Sequence, residues 1–245
     1  MSDPGAMQLV LAGSAVLVGA IAMRATGMGF ALLSTPFLVM ALGPYEGVLV
    51  TNVCGVIAAL LNLAQVHADV EWRRALRVVP AGLLGTIPGA VLVMLMPQAL
   101  LMIAVSLLVI VGLLFTIWSR SAQISDSTWV GAAGGFSSGF MNVTAGIAAP
   151  GLVIYALATR WEHHRFAATV QVHFIVLGIA ALASKRVLPA IPPAGWLVMI
   201  TILVLGALGG SILTRWLNGE RAMRWIIALA LTGAVASLVQ GAALL

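Results

Sequence analysis

Charged residues are scarce in this sequence, since Asp, Glu, Lys and Arg together make up only 8% of its 245 residues. A soluble chain of this length needs a charged, hydrated surface, so the shortage excludes an ordinary soluble domain. Cysteine is scarcer still, because Cys54 stands alone, which excludes an intrachain disulfide and a cysteine-rich metal site. The alternation of apolar and polar residues that is typical of a membrane β-barrel is also missing, which leaves helices as the spanning elements.

Hydrophobic residues are abundant instead, at 62% of the chain with a mean hydropathy of +1.12. Their runs recur from end to end and must face an apolar solvent, which predicts an all-α polytopic membrane protein. Asp3 but no basic residue precedes the first run, so we expect that run to remain rather than to be cleaved as a signal peptide. The basic residues are spread over short loops, which favours a role in membrane orientation and argues against nucleic acid as a partner.

The apolar segments follow the same order twice. Each half has one long apolar stretch and then three segments of ordinary length: 7–42, 46–67, 76–96 and 98–118 in the first half, and 128–158, 166–183, 195–216 and 225–244 in the second. Several residues recur at matching places: Pro36 and Pro150, Asn52 and Gln171, Gly82 and Gly206, Gly85 and Gly209. We therefore predict two membrane repeats, 1–118 and 128–245, joined by a connecting loop at 119–127, with 8–10 hydrophobic segments in all.

Each long stretch is too long for one straight crossing. As a single helix it would measure roughly 45 Å or more, whereas the hydrocarbon core of a bilayer is about 30 Å thick. Small and polar residues interrupt the first stretch at 23–29 and the second at 137–146. We predict that each stretch forms a broken helical hairpin, which is either re-entrant or made of two short spans.

The distribution of basic residues tests the hairpins. If each long stretch crossed the membrane once, the loop Lys and Arg residues would divide six to five between the two sides, which gives no orientation. With hairpins, Lys185 and Arg186 lie on one side and nine arginines on the other: Arg73, Arg74, Arg77, Arg120, Arg160, Arg165, Arg215, Arg221 and Arg224. This arrangement predicts that both termini are non-cytoplasmic and that the two halves are inverted relative to each other, as in many secondary transporters.

Aromatic and small residues fit the same arrangement. All seven tryptophans fall at predicted ends of spans, as expected of an interfacial aromatic belt. Gly131, Gly135 and Gly139 recur every four residues, which predicts a helix face that packs closely against a neighbouring helix.

Several segments resemble one family of membrane permeases. The segment 135–142 (GFSSGFMN), followed by 149–155 (APGLVIY) and 164–169 (HRFAAT), resembles the TauE/SafE family of sulfite and organosulfonate permeases. In the first half, GMGF at 27–30 and TPFL at 35–38 resemble the glycine-rich opening of the same family. The resemblance covers nearly the whole chain, although APG at 149–151 replaces a more common Gly-Pro-Pro and Arg24 occupies a normally small or apolar neighbourhood. It implies secondary transport, often export, of a small sulfur-containing or carboxylate anion.

Two broken helices also suggest where an anion would bind. If both breaks meet near the middle of the membrane, the free N–H groups and the positive dipole ends of the helices point to a common place. Thr26 precedes Gly27 as a potential cap in the first half, and Asn142 and Thr144 have the corresponding position in the second. Glycine at such a turn lets a ligand approach the backbone. We therefore predict that these four residues contact the substrate.

Three further polar residues are candidates for the same site. Arg24 is the only Lys or Arg outside a predicted loop, and a buried guanidinium can bind a sulfonate or carboxylate through two parallel hydrogen bonds. Arg24 could instead lie at the hairpin tip and extend to lipid headgroups. Asn52 and Gln171 follow the two hairpins and could flank the site, or they could form hydrogen bonds between helices.

Histidine is the remaining candidate for proton coupling. His173 lies within an apolar helix, whereas all seven acidic residues lie in loops or in the N-terminal tail. His163 and His164 are adjacent in a polar loop, where solvation is a better interpretation than metal binding. The sequence predicts no metal site and no cofactor.

Two other functions are alternatives. GFSSG at 135–139 matches the G-x-S-x-G pattern of serine hydrolases, and His173 could act as a base, but the pattern requires a preceding strand that nothing here predicts. An anion channel is a closer alternative to a transporter than a hydrolase is, because paired hairpins could also surround a continuous pore.

The sequence as a whole favours a transporter over an enzyme. We expect a permease that works by alternating access, with a small anion and membrane lipid as partners, protons as a candidate coupling ion and a homo-oligomer as an open alternative. Its expected place is a bacterial-type inner (plasma) membrane.

Overall fold

The computed structural model describes residues 5–118, 125–185, 189, 191–213 and 219–245, of which 6, 115–118, 212–213 and 219–226 are described by their backbone alone. Within these residues the chain forms ten α-helices, one short 3-10 helix at His67–Asp69 and no strand. The helices of the first half are α1 (Ala6–Thr26), α2 (Phe30–Leu42), α3 (Pro44–Val66), α4 (Trp72–Leu95) and α5 (Gln98–Trp118). Those of the second half are α6 (Thr128–Ala145), α7 (Ala149–Ala158), α8 (His163–Lys185), α9 (Pro193–Leu213) and α10 (Gly219–Ala242).

The lengths and compositions of these helices are those of a multi-pass membrane protein. Five of the helices in the described part of the chain, α1, α3, α4, α8 and α9, are long and apolar enough to cross a bilayer. Large apolar side chains such as those of Leu76, Leu95 and Leu208 are exposed along their outer faces, which suits a surface in contact with lipid. The prediction of an all-α polytopic membrane protein is confirmed.

Both long apolar stretches are broken into two helices, as expected. The first break lies within the predicted segment 23–29, whereas the second begins only at the last residue of the predicted segment 137–146. The first break is at 27–29 and the second at 146–148, each opening with a glycine whose φ is positive, 78° at Gly27 and 71° at Gly146. Within the segment where a break was expected, α6 continues through Ser137 and Ser138. Ser137 donates a hydrogen bond to the carbonyl of Gly134 in its own helix. Its hydroxyl therefore has a partner although the helix continues.

The element order repeats as predicted, but one of the proposed residue matches does not hold. Pro36 lies in the middle of α2, whereas Pro150 lies in the first turn of α7, where a missing N–H costs no hydrogen bond. The two turn glycines, Gly27 and Gly146, occupy equivalent places instead. The inverted orientation of the two halves, and with it the side of the membrane on which each loop lies, stays a prediction.

Glycines allow α6 to pack directly on the backbone of α4. A Cβ atom added to Gly139 would overlap the carbonyl oxygen of Gly82, and one added to Gly135 would overlap that of Val78. Helix α1 packs on α9 more loosely, because a Cβ atom at Gly206 would lie 2.8 Å from the Cβ of Ala20 and 2.9 Å from the carbonyl oxygen of Leu17. Of the predicted packing face Gly131, Gly135 and Gly139, the last two form a contact between backbones, whereas a Cβ atom at Gly131 would lie 3.4 Å from the ring of Tyr155.

A group of charged residues surrounds the ends of α7 and the starts of α4 and α8. Arg74 forms an ion pair with Asp126 at 3.3 Å and lies 4.4 Å above the ring of Trp161, while Tyr155 donates a hydrogen bond of 2.6 Å to Asp126. Arg165 approaches Glu71 at 3.4 Å. These contacts join the base of the second hairpin to α4 and α8.

The tryptophans follow the predicted aromatic belt only in part, and some residues of the sequence analysis are outside the described part of the chain. Trp72 and Trp129 are exposed at helix starts, in keeping with an aromatic belt, but Trp161 is buried between Tyr155 and Phe166. Several residues that the sequence placed at loops or span ends lie outside the described residues: Asp3, Arg120, Arg186, Arg215, Trp216 and the part of the connecting loop at 119–124.

Candidate functional site

A small cavity lies where the two hairpin turns approach each other. It has a volume of about 40 Å³, which is room for roughly three water-sized groups. Its wall combines the turns with the middle of α3 and α8 and is formed by Met23, Met28, Phe30, Ala31, Thr51, Asn52, Gly55, Val56, Asn142, Gly146, Ala148, Ala149, Phe174 and Gly178. Both hairpin turns therefore contribute to the wall of one cavity.

The first residues of α2 and α7 face this cavity. Phe30 and Ala31 begin α2, Ala149 begins α7, and all three are in the cavity wall. Neither helix start has a side chain that caps it with a hydrogen bond. The N–H groups of a first helical turn have no partner within their own helix and carry the positive end of the helix dipole. Two such starts at one cavity form a site that favours an anion.

Asn52 and Asn142 supply the polar side chains of the cavity and are joined to each other. The amide nitrogen of Asn142 donates a 3.0 Å hydrogen bond to Oδ1 of Asn52, whose own amide nitrogen donates to the carbonyl of Val48. Both side chains are buried, Asn52 on α3 and Asn142 on α6. Of the residues predicted to bind substrate, these two are the ones that the structure brings together at the cavity.

Two threonines near the cavity were missed by the sequence analysis. Thr51 lines the cavity and donates to the carbonyl of Gly47 at 2.8 Å. Thr35 is fully buried beside Gly146, and its hydroxyl has no hydrogen-bond partner. The only available signal was the position of Thr35 in the TPFL segment, because a threonine in an apolar helix usually bonds to its own backbone.

Thr26, Gly27 and Gln171 shape the first turn rather than line the cavity. The amide nitrogen of Gln171 donates to the carbonyl of Gly27 at 2.7 Å and to that of Ala167 at 2.6 Å. Thr26 donates to the carbonyl of Ala22, and the backbone N–H of Met28 approaches the Thr26 hydroxyl at 3.5 Å. These three residues hold the turn that presents the start of α2 to the cavity.

Arg24 lies at a second, smaller cavity of about 20 Å³ toward the end of α3. Its guanidinium donates to Oδ1 of Asn62 at 3.1 Å and to Oε1 of Gln65. Met23 lies in the walls of both cavities and separates Arg24 from the pair of asparagines. Arg24 therefore does not share the central cavity with Asn52 and Asn142, and a direct contact with substrate there stays a prediction.

Thr144 on α6 and His173 on α8 are not in the cavity wall, although Asn142 and Phe174 on the same helices are. Thr144 donates to the carbonyl of Phe140 and packs toward Gly89 of α4. His173 is fully buried, and its Nε2 lies 2.9 Å from the hydroxyl of Ser138. The same hydroxyl lies 2.6 Å from the carbonyl oxygen of Ala148, which is in the cavity wall.

The serine and histidine do not have the geometry of a hydrolase. The serine at the centre of the G-x-S-x-G pattern, Ser137, is not the one that meets His173. Ser138 gives its hydroxyl proton to a carbonyl that can only accept, so His173 must donate to Ser138, whereas a nucleophilic serine must donate to its histidine. Both serines also lie inside α6 rather than at a turn after a strand. The hydrolase alternative gains no support.

A larger groove between α1 and α9 has a volume of about 450 Å³. It is lined mainly by apolar side chains, among them the exposed Val10, Leu17 and Val198. Its composition suits contact with lipid rather than recognition of a small anion. No group of three His, Cys, Asp or Glu side chains in the described residues is placed to hold a metal ion.

Comparison with known proteins identifies a family. No curated protein and no solved structure matches the chain. The family model described as "Sulfite exporter TauE/SafE" matches residues 11–238, which is nearly the whole chain. The resemblance found in the glycine-rich segments is thereby confirmed, and the chain belongs to the TauE/SafE sulfite exporter family.

Proposed function

We propose that this protein is a secondary transporter that carries a small anion, such as sulfite or a compact organosulfonate, across the membrane by alternating access. The observation that carries the proposal is the central cavity, where the uncapped starts of α2 and α7 meet the amides of Asn52 and Asn142. Each of these helix starts and amides has at least one N–H group that can donate a hydrogen bond, although Pro150 in the first turn of α7 has none, and no group among them carries a negative charge.

The size of the cavity narrows the substrate class. Room for roughly three water-sized groups suits an oxyanion with three or four oxygens better than a long-chain sulfonate. Its wall is otherwise apolar, so an anion bound there is desolvated and depends strongly on the N–H donors. Sulfite, the compound in the family's name, fits this description.

We propose that Arg24 binds the anion before the anion reaches the central cavity. Its guanidinium lies on the other side of Met23, an unbranched and flexible side chain that could move between the two cavities. An anion attracted by Arg24 would then pass Met23 to reach the central cavity. We further propose that the protein lies in a bacterial-type inner membrane with both termini on the non-cytoplasmic side, following the loop arginines.

Sulfite counterflow in vesicles tests the proposal. Purified protein is reconstituted with unlabelled sulfite inside, and the uptake of labelled sulfite is measured. Saturable uptake is expected. Thr51→Val and Asn142→Ala should each raise the half-saturating sulfite concentration about tenfold or more. The Thr51 hydroxyl can rotate from the carbonyl of Gly47 to the anion, Asn142 has a second amide N–H to donate, and a hydrogen bond to a charged group contributes about 1.5–3 kcal/mol.

Thr201→Val is the matched control for Thr51→Val. Thr201 also bonds to the carbonyl four residues before it, but it lies exposed on α9. It should transport like the wild type. Wild-type protein that shows no counterflow, and no thermal stabilisation by sulfite, sulfate, thiosulfate, sulfonates or short carboxylates, would contradict the proposed substrate class. Electrical currents with a high unitary rate would show a channel instead.

A further inference from the structure

His173 is a fully buried histidine on α8 that contacts two other helices, α6 and α4. It meets Ser138 of α6 at 2.9 Å. A Cβ atom added to Gly82 of α4 would lie 2.8 Å from its ring, so the ring is enclosed on that side as well. Through Ser138 it is connected to Ala148, where α7 begins.

The hydrogen bonds fix which ring nitrogen of His173 carries the proton. The carbonyl oxygen of Ala148 can only accept, so the single hydroxyl proton of Ser138 points to it. Ser138 must then accept from His173, which places the proton on Nε2. The neutral ring consequently has an unprotonated Nδ1.

This Nδ1 atom is buried and has no hydrogen-bond partner. A histidine with a purely structural role usually has a partner at both nitrogens, because a buried polar atom without one is costly. The described residues that surround the ring, Ser138, Gly82 and Phe174, carry no charge that could hold a proton in its place. Nδ1 is thus an open site for one proton.

The position of His173 connects this site to the anion. Its neighbour Phe174 and the carbonyl partner Ala148 both lie in the wall of the central cavity. A positive charge on the ring would be strongly unfavourable in this apolar surrounding unless a negative charge were near. An anion in the cavity supplies that charge.

We infer that His173 is the proton-binding group of the transporter, and that it takes up one proton at Nδ1 together with the anion in the cavity. This inference rests on the proposed function. A proton from water adds to the lone pair of Nδ1, Nε2 keeps its proton and its bond to Ser138, and the imidazolium balances one negative charge of the anion. Proton and anion therefore cross the membrane in the same step.

Magnetic resonance of the histidine rings tests the inference directly. The chain has four histidines, so protein with isotope-labelled histidine gives few ring signals. At constant neutral pH, His173 should show the neutral Nε2–H form without sulfite and the imidazolium form with saturating sulfite. His173→Gln assigns its signal. If that variant does not fold, His67→Gln, His163→Gln and His164→Gln assign it by elimination.

Transport provides the second measurement. Sulfite uptake by wild-type vesicles should increase severalfold with an imposed proton gradient, and His173→Gln, whose amide can still donate to Ser138, should lose that response. His67→Gln, the same change at an exposed histidine, should keep it. A ring that stays neutral in saturating sulfite, or a His173→Gln variant that still responds to the gradient, overturns the inference. Wild-type counterflow without any response to the gradient also overturns it and leaves the proposed function intact, whereas wild-type protein without counterflow contradicts the proposed function itself.

Discussion

The two hairpins are built alike and held differently. In both, a long first arm ends at a glycine with positive φ, and a short second arm begins at the central cavity. The first turn is held by an amide, since Gln171 donates to the carbonyl of Gly27. The second turn is held by a hydroxyl, since Ser138 donates to the carbonyl of Ala148, and that hydroxyl is bonded to His173.

This difference separates a fixed turn from one that can respond to protons. An amide does not titrate, so the first turn has the same hydrogen bonds at any physiological pH. The second turn is joined to a ring that can change its charge. In the proposed mechanism, one wall of the cavity keeps a constant charge, while the other lies beside a ring whose charge changes with the proton.

The largest expected effect comes from the first arms of the hairpins. Gly139→Ala forces a Cβ atom against the backbone of Gly82 and should lower the free energy of unfolding by about 3 kcal/mol, at the high end of the cost of overpacking. Gly206→Ala, in the looser contact between α1 and α9, should cost about 1–2 kcal/mol. Thermal unfolding in detergent measures both.

Gly209→Ala is the control for these two changes. Gly209 is exposed, and an added Cβ would meet nothing within 4 Å. Because alanine favours a helix over glycine by about 1 kcal/mol, this variant should be as stable as the wild type or slightly more stable. Equal losses for Gly139→Ala and Gly206→Ala would mean that the two hairpins are packed alike, contrary to the comparison.

The turn glycines should rank next. Alanine at a positive φ costs roughly 1–2 kcal/mol. At Gly27 the new Cβ would also lie 2.8 Å from that of Ala167, whereas the nearest atom at Gly146 is 3.2 Å away. Gly27→Ala should therefore lower the unfolding temperature more than Gly146→Ala. Adding Ala167→Gly removes the contact, so the double variant should lose less stability than the sum of its single changes.

The sequence predicted the hairpins and part of the site, for physical reasons that can be named. Two overlong apolar stretches require breaks whatever the packing, and Asn52 and Asn142 are conspicuous because an amide within an apolar helix needs a partner. The exact turn was harder to place. Ser137, Ser138 and Gly139 look like breakers, yet the serines bond to nearby carbonyls and Gly139 serves close packing, so the helix continues.

The contacts between helices could not be predicted from the sequence. Ser137 and Ser138 are adjacent, and only the angle at which α6 packs against α8 decides which hydroxyl meets His173. The same is true of Arg24. The sequence placed it in the first apolar stretch, but it could not show that Met23 separates it from Asn52 and Asn142. Helix periodicity orders residues around one axis and says nothing of the neighbour that each will meet.

Removing the hydrogen bond that holds each turn should have a different effect on transport in the two hairpins. Gln171→Met leaves the carbonyl of Gly27 without its partner, and Ser138→Ala does the same for Ala148, each at a cost of about 1 kcal/mol in stability. Sulfite counterflow is then measured across a range of pH. Gln171→Met should lower the rate by a similar factor throughout, while Ser138→Ala should shift the profile along the pH axis. If neither variant shifts the pH profile of sulfite counterflow, the second turn does not respond to protons any more than the first.

The smallest expected effect concerns Arg24, which ends the first arm of the first hairpin and has no counterpart in the second turn. A partly exposed charge contributes up to about 1 kcal/mol, so Arg24→Gln should raise the half-saturating sulfite concentration about threefold at low salt, and less at high salt where such attraction is screened. Arg73→Gln is the control, since Arg73 is exposed at the start of α4 on the same predicted side of the membrane. If the two variants behave alike, Arg24 interacts with lipid headgroups, and the anion reaches the cavity without it.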